Sequence, residues 1–204
     1  MSVKVKICGL TNLPDAQAAV TAGADLLGFI FAEASPRRLT VEAAAAITRE
    51  IPPHILKVGV FVNPTADQVL RALRECGLDL LQFHGEETPR FCTSFGVMSM
   101  KAFRIRDERS LQALTDYPTD AWLLDTYSEK QAGGTGQTFN WDLAVAAKQF
   151  GRPIVLAGGL TPENVADAVS RVQPFAVDVS SGVEVSLGEK DHAKIATFLR
   201  AAKA

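Results

Sequence analysis

The chain has 204 residues, of which 47% are hydrophobic and 22% are charged. Both fractions are near the average for globular proteins, so the composition argues against disorder and coiled coil, and the length suits one domain over residues 1–204. The formal net charge is −2, from 21 basic and 23 acidic residues. Such a chain has no basic surplus to attract nucleic acid or an anionic membrane, so an anionic ligand needs a local site.

Cysteine usage and the absence of a targeting segment predict a cytoplasmic protein. Cys8, Cys76 and Cys92 are odd in number and widely spaced, which argues against a disulfide scaffold or a cysteine-type zinc site. The first residues have no hydrophobic region followed by a cleavage site. The longest apolar stretch, residues 26–32, is far too short to span a membrane.

Eight short apolar runs alternate with helix-like segments along the whole chain. Near-continuous apolar character is typical of strands buried on both faces, as in a parallel sheet. Lys4 and Lys6 interrupt the first run, and we expect them near the rim or extended to water. The predicted strands are residues 3–8, 26–31, 56–62, 80–83, 97–103, 121–124, 153–156 and 175–179.

Amphipathic segments between these runs carry helix-start chemistry. Asn12, Thr65 and Thr161 each precede a first turn that contains a proline or an acidic residue, a pattern typical of N-caps. The clearest predicted helices cover residues 41–49, 66–75, 141–149 and 162–170.

The alternation predicts a closed (β/α)₈ barrel, an α/β fold. Eight strands over 204 residues give about 25 residues per βα unit, which is at the short end for that fold. A weak repeat, Cys8-Gly9-Leu10-Thr11 and Gly158-Gly159-Leu160-Thr161, supports the period. The alternative is a doubly wound open sheet, which calls for a G-x-G-x-x-G turn that the first strand lacks.

In a barrel the reacting groups lie where strands end. Cys8 ends the first strand, and its thiol could act as a base or nucleophile, or be a small buried core residue. Asp125 ends the sixth, where a raised pKa would suit a general acid, although it could also cap a helix. Of the three scattered histidines, only His84 is at a strand end, so the sequence does not indicate a metal site.

Glycine-rich loops after the last two strands predict a phosphate site. Gly158-Gly159 and Ser180-Ser181-Gly182 let a ligand approach backbone N–H groups, and barrels commonly bind phosphate there. The alternative is ordinary turn glycines. Arg37 and Arg38 suit a carboxylate clamp or a merely exposed loop. The loop at residues 133–136 is predicted to be mobile and to cover the site.

These residues resemble the phosphoribosylanthranilate isomerase family of tryptophan biosynthesis nearly from end to end. The resemblance rests on these stretches: Lys6-Ile7-Cys8-Gly9-Leu10-Thr11, Ser35-Pro36-Arg37, Leu81-Gln82-Phe83-His84-Gly85, Leu124-Asp125, Ala157-Gly158-Gly159-Leu160 and Asp178-Val179-Ser180-Ser181-Gly182-Val183-Glu184. The first and last stretches together are highly specific. Residues 186–191 and 32–34 depart from the common family pattern and leave only the loop shape open.

The resemblance implies an isomerase that uses neither metal nor organic cofactor and acts on a phosphorylated small molecule, as a monomer or homodimer. It matches Cys8 to the general base, Asp125 to the general acid and Arg37 to the group facing the anthranilate carboxylate. His84 and Asp178 match further substrate-binding positions, without a settled role.

Two other functions stay open at this point. One is another phosphate-binding barrel enzyme, similar to indole-glycerol-phosphate synthase or thiamine-phosphate synthase; the former should carry lysine and glutamate at its strand ends. The other is a non-catalytic barrel that binds a phosphorylated ligand or a protein. The strand ends Cys8, His84 and Asp125 favour the isomerase over both.

Overall fold

The computed structural model describes residues 2–125 and 141–204, and every predicted apolar run lies in these ranges as a β-strand. Predicted and observed ends differ by at most one residue. The strands are β1 (Lys4–Cys8), β2 (Leu26–Ile30), β3 (Leu56–Phe61), β4 (Leu80–Phe83), β5 (Met98–Arg104), β6 (Ala121–Asp125), β7 (Ile154–Ala157) and β8 (Ala176–Val179).

These strands form a closed parallel barrel in sequence order. Strand β1 pairs with both β2 and β8, placing Cys8 opposite Gly28 and Lys6 opposite Asp178. The predicted (β/α)₈ barrel is therefore confirmed. The open doubly wound alternative is wrong, because its first strand would not pair with its last. All carboxyl ends of the strands meet at one end of the barrel.

Helices follow the strands around the outside. The α-helices are α1 (Leu13–Ala22), α2 (Val41–Thr48), α3 (Ala66–Cys76), α4 (Pro89–Cys92), α5 (Trp141–Ala147), α6 (Val165–Val172) and α7 (His192–Ala202). Short 3₁₀ helices cover Glu108–Asp116, Lys148–Phe150 and Ser181–Val183. A small antiparallel hairpin, β9 (Glu184–Ser186) and β10 (Glu189–Lys190), lies between β8 and α7. None of the helices in residues 2–125 and 141–204 has the length and apolarity needed to cross a membrane.

All three predicted capping side chains accept a hydrogen bond from the backbone that follows them. Asn12 accepts from the backbone N–H of Asp15 at 2.8 Å, and Thr65 forms a reciprocal capping box with Gln68. The predicted start of α6 is wrong. Thr161 Oγ1 accepts from the Glu163 N–H at 3.3 Å and its own N–H donates to the Asn164 side chain at 2.8 Å, yet residues 162–164 form a turn and the helix begins at Val165.

Apolar side chains form two layers, one inside the barrel and one between the strands and the helices. The interior layer includes Val58, Met100 and Leu123, whereas alternate residues such as Val5 and Ile7 belong to the outer layer. This alternation follows from the two-residue period of a strand.

The first strand departs from the expected burial at one of its two lysines. The Lys4 side chain is 49% exposed, as predicted, and pairs with Asp25. The prediction for Lys6 is wrong, because its side chain is only 1% exposed and pairs with Asp178. Only Ile7 separates Lys6 from Cys8, so both side chains lie on the interior face of β1. The loop predicted to cover the site, residues 133–136, lies outside the described residues.

Candidate active site

A cavity of about 300 Å³ opens at the carboxyl end of the barrel. The cavity walls include every predicted site residue except Arg37: Cys8, His84, Asp125, Gly158, Gly159, Asp178, Ser180, Ser181 and Gly182. The fold thus brings together groups that are up to 174 residues apart in the chain, from Cys8 to Gly182.

Cys8 is buried at the end of β1 with 6% of its surface exposed. Its space depends on Gly28 of β2, where a Cβ would lie 2.8 Å from the Cys8 Sγ and 3.0 Å from the Lys6 Nζ. Burial raises the pKa of the Cys8 thiol, while the nearby Lys6 ammonium acts to lower it. The Asp178 carboxylate acts to raise the pKa of Cys8. Burial and these two charges therefore have the main influence on the pKa of the thiol.

Lys6 and Asp178 form a buried ion pair beside that thiol. The Lys6 Nζ lies 3.0 Å from Asp178 Oδ1, and the two side chains are 1% and 10% exposed. Burial lowers the pKa of Lys6, but Asp178 and Cys8 outweigh this effect, so its pKa is raised overall. Lys6 is therefore a cation in the barrel interior.

Asp125 ends β6, and its carboxylate contacts a histidine. His84 Nε2 lies 3.3 Å from Asp125 Oδ2, and His84 Nδ1 lies 3.5 Å from the side-chain nitrogen of Gln82. The Nε2–Oδ2 distance is that of an electrostatic contact, and the tautomer of His84 decides which ring nitrogen donates. This arrangement occupies Oδ2 of Asp125.

Sequence reasoning gave no role to Gln82, which also lines the cavity. Its side chain is buried, and its Oε1 has no hydrogen-bond partner within residues 2–125 and 141–204. A buried acceptor without a partner is costly, so it is available to a hydroxyl or N–H of a ligand. A polar residue inside an otherwise apolar strand, as in Leu80–Phe83, was the available signal.

Close backbone contacts join the loops after β7 and β8. Gly158 and Gly159 have φ of 85° and 62°, a conformation that favours glycine. A Cβ on Gly182 would collide with the Leu160 carbonyl oxygen, so only glycine lets the two loops meet there. The Asn164 side chain also donates to the Gly159 carbonyl at 2.9 Å. Both loops consequently face the same part of the cavity.

Arg37 lies beside this cavity but is bound to Glu184. Its Nε and Nη2 donate to the two Glu184 oxygens at 2.7 and 2.6 Å, and Lys190 donates to the same carboxylate at 2.8 Å. Burial raises the pKa of Glu184, yet Arg37 and Lys190 hold it below its usual value. The predicted loop arginine is thus oriented by an acidic partner that sequence reasoning left without a role.

The stem of Arg37 also approaches the end of β1. Gly9 has a φ of 73°, and a Cβ there would lie 2.6 Å from the Arg37 Cδ and 3.0 Å from the Ser180 Oγ. Two hydrogen bonds to Glu184 use one edge of the guanidinium, and Nη1 has no partner in the part of the chain that the structure describes.

Among residues 2–125 and 141–204, no group of three or more His, Cys, Asp or Glu side chains is placed to hold a metal ion.

Comparisons with known proteins agree with this geometry. The model of the N-(5'phosphoribosyl)anthranilate (PRA) isomerase family matches residues 5–201. A relative from Citrifermentans bemidjiense, named N-(5'-phosphoribosyl)anthranilate isomerase, is 58% identical over 98% of this chain and 97% of its own length.

Solved structures give the same result. The phosphoribosyl anthranilate isomerase of Thermotoga maritima is 43% identical, with a TM-score of 0.92 and 98% of both chains covered. A second such structure, in complex with reduced 1-(o-carboxyphenylamino)-1-deoxyribulose 5-phosphate, is 41% identical with a TM-score of 0.89, again over 98% of both chains. On the family match and these identities, the chain belongs to the N-(5'-phosphoribosyl)anthranilate isomerase family.

Proposed function

We propose that the protein catalyses the Amadori rearrangement of N-(5-phosphoribosyl)anthranilate to 1-(2-carboxyphenylamino)-1-deoxyribulose 5-phosphate in L-tryptophan biosynthesis. Asp125 acts as general acid and Cys8 as general base. The observation that carries this proposal is that both residues line one cavity from different strands. Strands β7 and β8 lie between them on the shorter way around the barrel, so the two groups approach a ligand from separate sides.

Asp125 opens the sugar ring in this proposal. Protonation of the furanose oxygen breaks its bond to C1 and leaves a Schiff base between C1 and the anthranilate nitrogen. Because His84 contacts Oδ2, Oδ1 is the oxygen that would carry the transferred proton. His84 then acts by holding the acid in one orientation.

Cys8 removes the proton from C2 of the open chain. The electron pair left at C2 forms the C1–C2 double bond and neutralises the iminium nitrogen, which gives an enolamine. Tautomerisation moves a proton from the C2 hydroxyl to C1 and gives the ketoamine. A positioned acid or base typically contributes about 10²–10⁴-fold to such a reaction.

The substrate phosphate occupies the loops after β7 and β8. The close approach of Gly182 to the Leu160 carbonyl, next to Gly159, supports this placement, because loops that only glycine can form expose N–H groups to an anion. The phosphate is remote from C1 and C2, so its binding supplies orientation to the reacting atoms.

Arg37 binds the anthranilate carboxylate in this proposal. The Glu184 pair fixes the guanidinium plane and leaves Nη1 for a ligand. A fixed guanidinium loses less conformational entropy when a second anion binds. Asp178 lines the same cavity as a substrate-binding residue. The oligomeric state, monomer or homodimer, stays a prediction.

The test is the decay of phosphoribosylanthranilate fluorescence in the presence of the protein. The wild type should accelerate the decay well beyond the spontaneous rate, and the Cys8→Ser/Asp125→Asn double variant should not. A wild type no faster than this matched, folded double variant would reject the proposed function.

A further inference from the structure

The barrel interior holds a buried cation that the acid–base scheme does not use. Lys6 is fully buried at the level just below Cys8 on the same strand face. Its ammonium has one carboxylate partner among the described residues, Asp178 Oδ1 at 3.0 Å. An ammonium offers three donors, and burying one with so few partners is costly.

The second neighbour of this ammonium is the Cys8 thiol. Lys6 and Cys8 approach the same side of Gly28, where a Cβ would lie within 3.0 Å of Nζ and 2.8 Å of Sγ. Burial acts to lower the pKa of Lys6, but Asp178 and then Cys8 raise it. Glycine at position 28 therefore makes the space in which the ammonium and the sulfur meet.

Charges around the thiol carry a surplus of one positive charge. Three cations and two carboxylates form this cluster: Lys6, Arg37, Lys190, Asp178 and Glu184. Loss of the Cys8 proton would bring the summed charge of these five groups and the sulfur to zero.

Among the three cations, only Lys6 is placed to act on the sulfur directly. Arg37 is held by Glu184, and Lys190 donates to Glu184 and to the Ser180 carbonyl at 2.8 and 3.1 Å. Burial also lowers the pKa of Lys190, which reduces its value as a permanent charge.

We propose that Lys6 is a positioning residue whose ammonium stabilises the Cys8 thiolate, and that Asp178 limits this effect by sharing the same ammonium. The use of that thiolate as a base rests on the proposed function, whereas its stabilisation does not. If Lys6 serves only the stability of the barrel, its loss will weaken the fold without a specific effect on the sulfur.

The test is an ultraviolet titration of the thiolate in the folded, ligand-free protein. The difference between the wild type and Cys8→Ser assigns the titration of Cys8, and circular dichroism confirms folding at each pH. Lys6→Met should move the Cys8 midpoint upward by about one pH unit or more, because a neighbouring buried charge of opposite sign is removed. Asp178→Asn should move it downward, because the ammonium then has the thiolate as its main partner.

A double variant keeps the proposal testable if Lys6→Met alone does not fold. Lys6→Met/Asp178→Asn leaves no unpaired buried charge, and its midpoint should lie above the wild type and below Lys6→Met. Unchanged midpoints in the foldable variants, or an upward shift in Asp178→Asn, would overturn the proposal. Because the titration needs no turnover, its result is independent of whether the isomerase assay succeeds.

Discussion

Two buried lysines lie on opposite sides of the barrel wall, and their surroundings differ. Lys6 of β1 faces the interior, and Lys101 of β5 faces the outer layer, where it lies over the rings of Phe103 and Tyr117. Their side chains are 1% and 4% exposed. Burial alone therefore does not distinguish them.

Lys101 has a full set of acceptors. Its Nζ lies 2.6 to 3.3 Å from four acceptors, three backbone carbonyls and Glu87 Oε2, which is more than its three N–H groups require. Glu87 in turn accepts from the N–H groups of Asn63 and Gly85, so this pair fastens the loops after β3 and β4. The Lys6 ammonium, by contrast, has one carboxylate, that of Asp178, and the Cys8 thiol as neighbours. A buried lysine whose N–H donors all have acceptors therefore supports the fold, whereas one with unused donors is available to a reacting group.

The largest expected difference is between the cysteines near the two lysines. Cys8→Ser should retain the fold and lower kcat by about 10³-fold, because a hydroxyl is a far weaker acid than a thiol. Cys92→Ser is the matched control: burial raises the pKa of Cys92 to about 11 even though Lys101 acts to lower it. Its kcat should change less than about twofold, as for residues outside the site. Near-full activity of Cys8→Ser would remove this thiol from the mechanism.

The next effect concerns stability. Lys101→Met should lower the free energy of unfolding by about 3 kcal/mol or more, because Glu87 is left as an unpaired buried charge. Urea unfolding measures this loss, and Lys101→Met/Glu87→Gln should recover part of it. The Cys8 titration should stay at its wild-type midpoint in Lys101→Met. A shift as large as that of Lys6→Met would erase the distinction between the two lysines.

Across the cavity from Lys6, Asp125→Asn should lower kcat by about 10²-fold and leave KM nearly unchanged. Asparagine keeps the shape and the contact with His84 but has no proton to transfer. Steady-state fluorescence assays give both constants. A variant with nearly full kcat would show that another group protonates the ring oxygen.

The smallest effect is expected at the rim. Arg37→Ala should raise KM about tenfold. The anthranilate carboxylate keeps its charge throughout the reaction, so the lost interaction stabilises the bound substrate and the transition state equally. Arg38→Ala is the control at the adjacent residue. The Arg38 side chain is 48% exposed, and its Nη2 lies 3.6 Å from Oε1 of the exposed Glu33, so its loss should change KM little. An equal effect of both variants would reject the assignment to Arg37.

Local pattern was sufficient for the strands, because eight apolar runs bounded by turn residues leave few other interpretations. The starts of α1 and α3 were predictable because Asn12 and Thr65 cap their own first turns. Thr161 also makes cap-type hydrogen bonds, with Glu163 and Asn164, yet the regular helix begins only at Val165, and the residue types do not reveal this delay.

The sequence pattern could not predict ion pairs between side chains that are far apart in the chain. A lysine in an apolar run ordinarily indicates a rim position, and the partner that permits its burial, Asp178, is 172 residues away. Likewise the Glu184 that orients Arg37 is 147 residues away. Strand-end positions could be predicted for Cys8 and Asp125, but which charges surround them depends on barrel closure.

The most direct test of the mechanism is a crystal structure of this protein with reduced 1-(2-carboxyphenylamino)-1-deoxyribulose 5-phosphate. We expect Cys8 Sγ about 3.5 Å from C2, Asp125 Oδ1 about 3 Å from the former ring oxygen on another side of the ligand, and the phosphate between Gly159 and Gly182. A ligand with its C2 facing a side chain other than Cys8, or with its phosphate outside these two loops, would contradict the proposed mechanism.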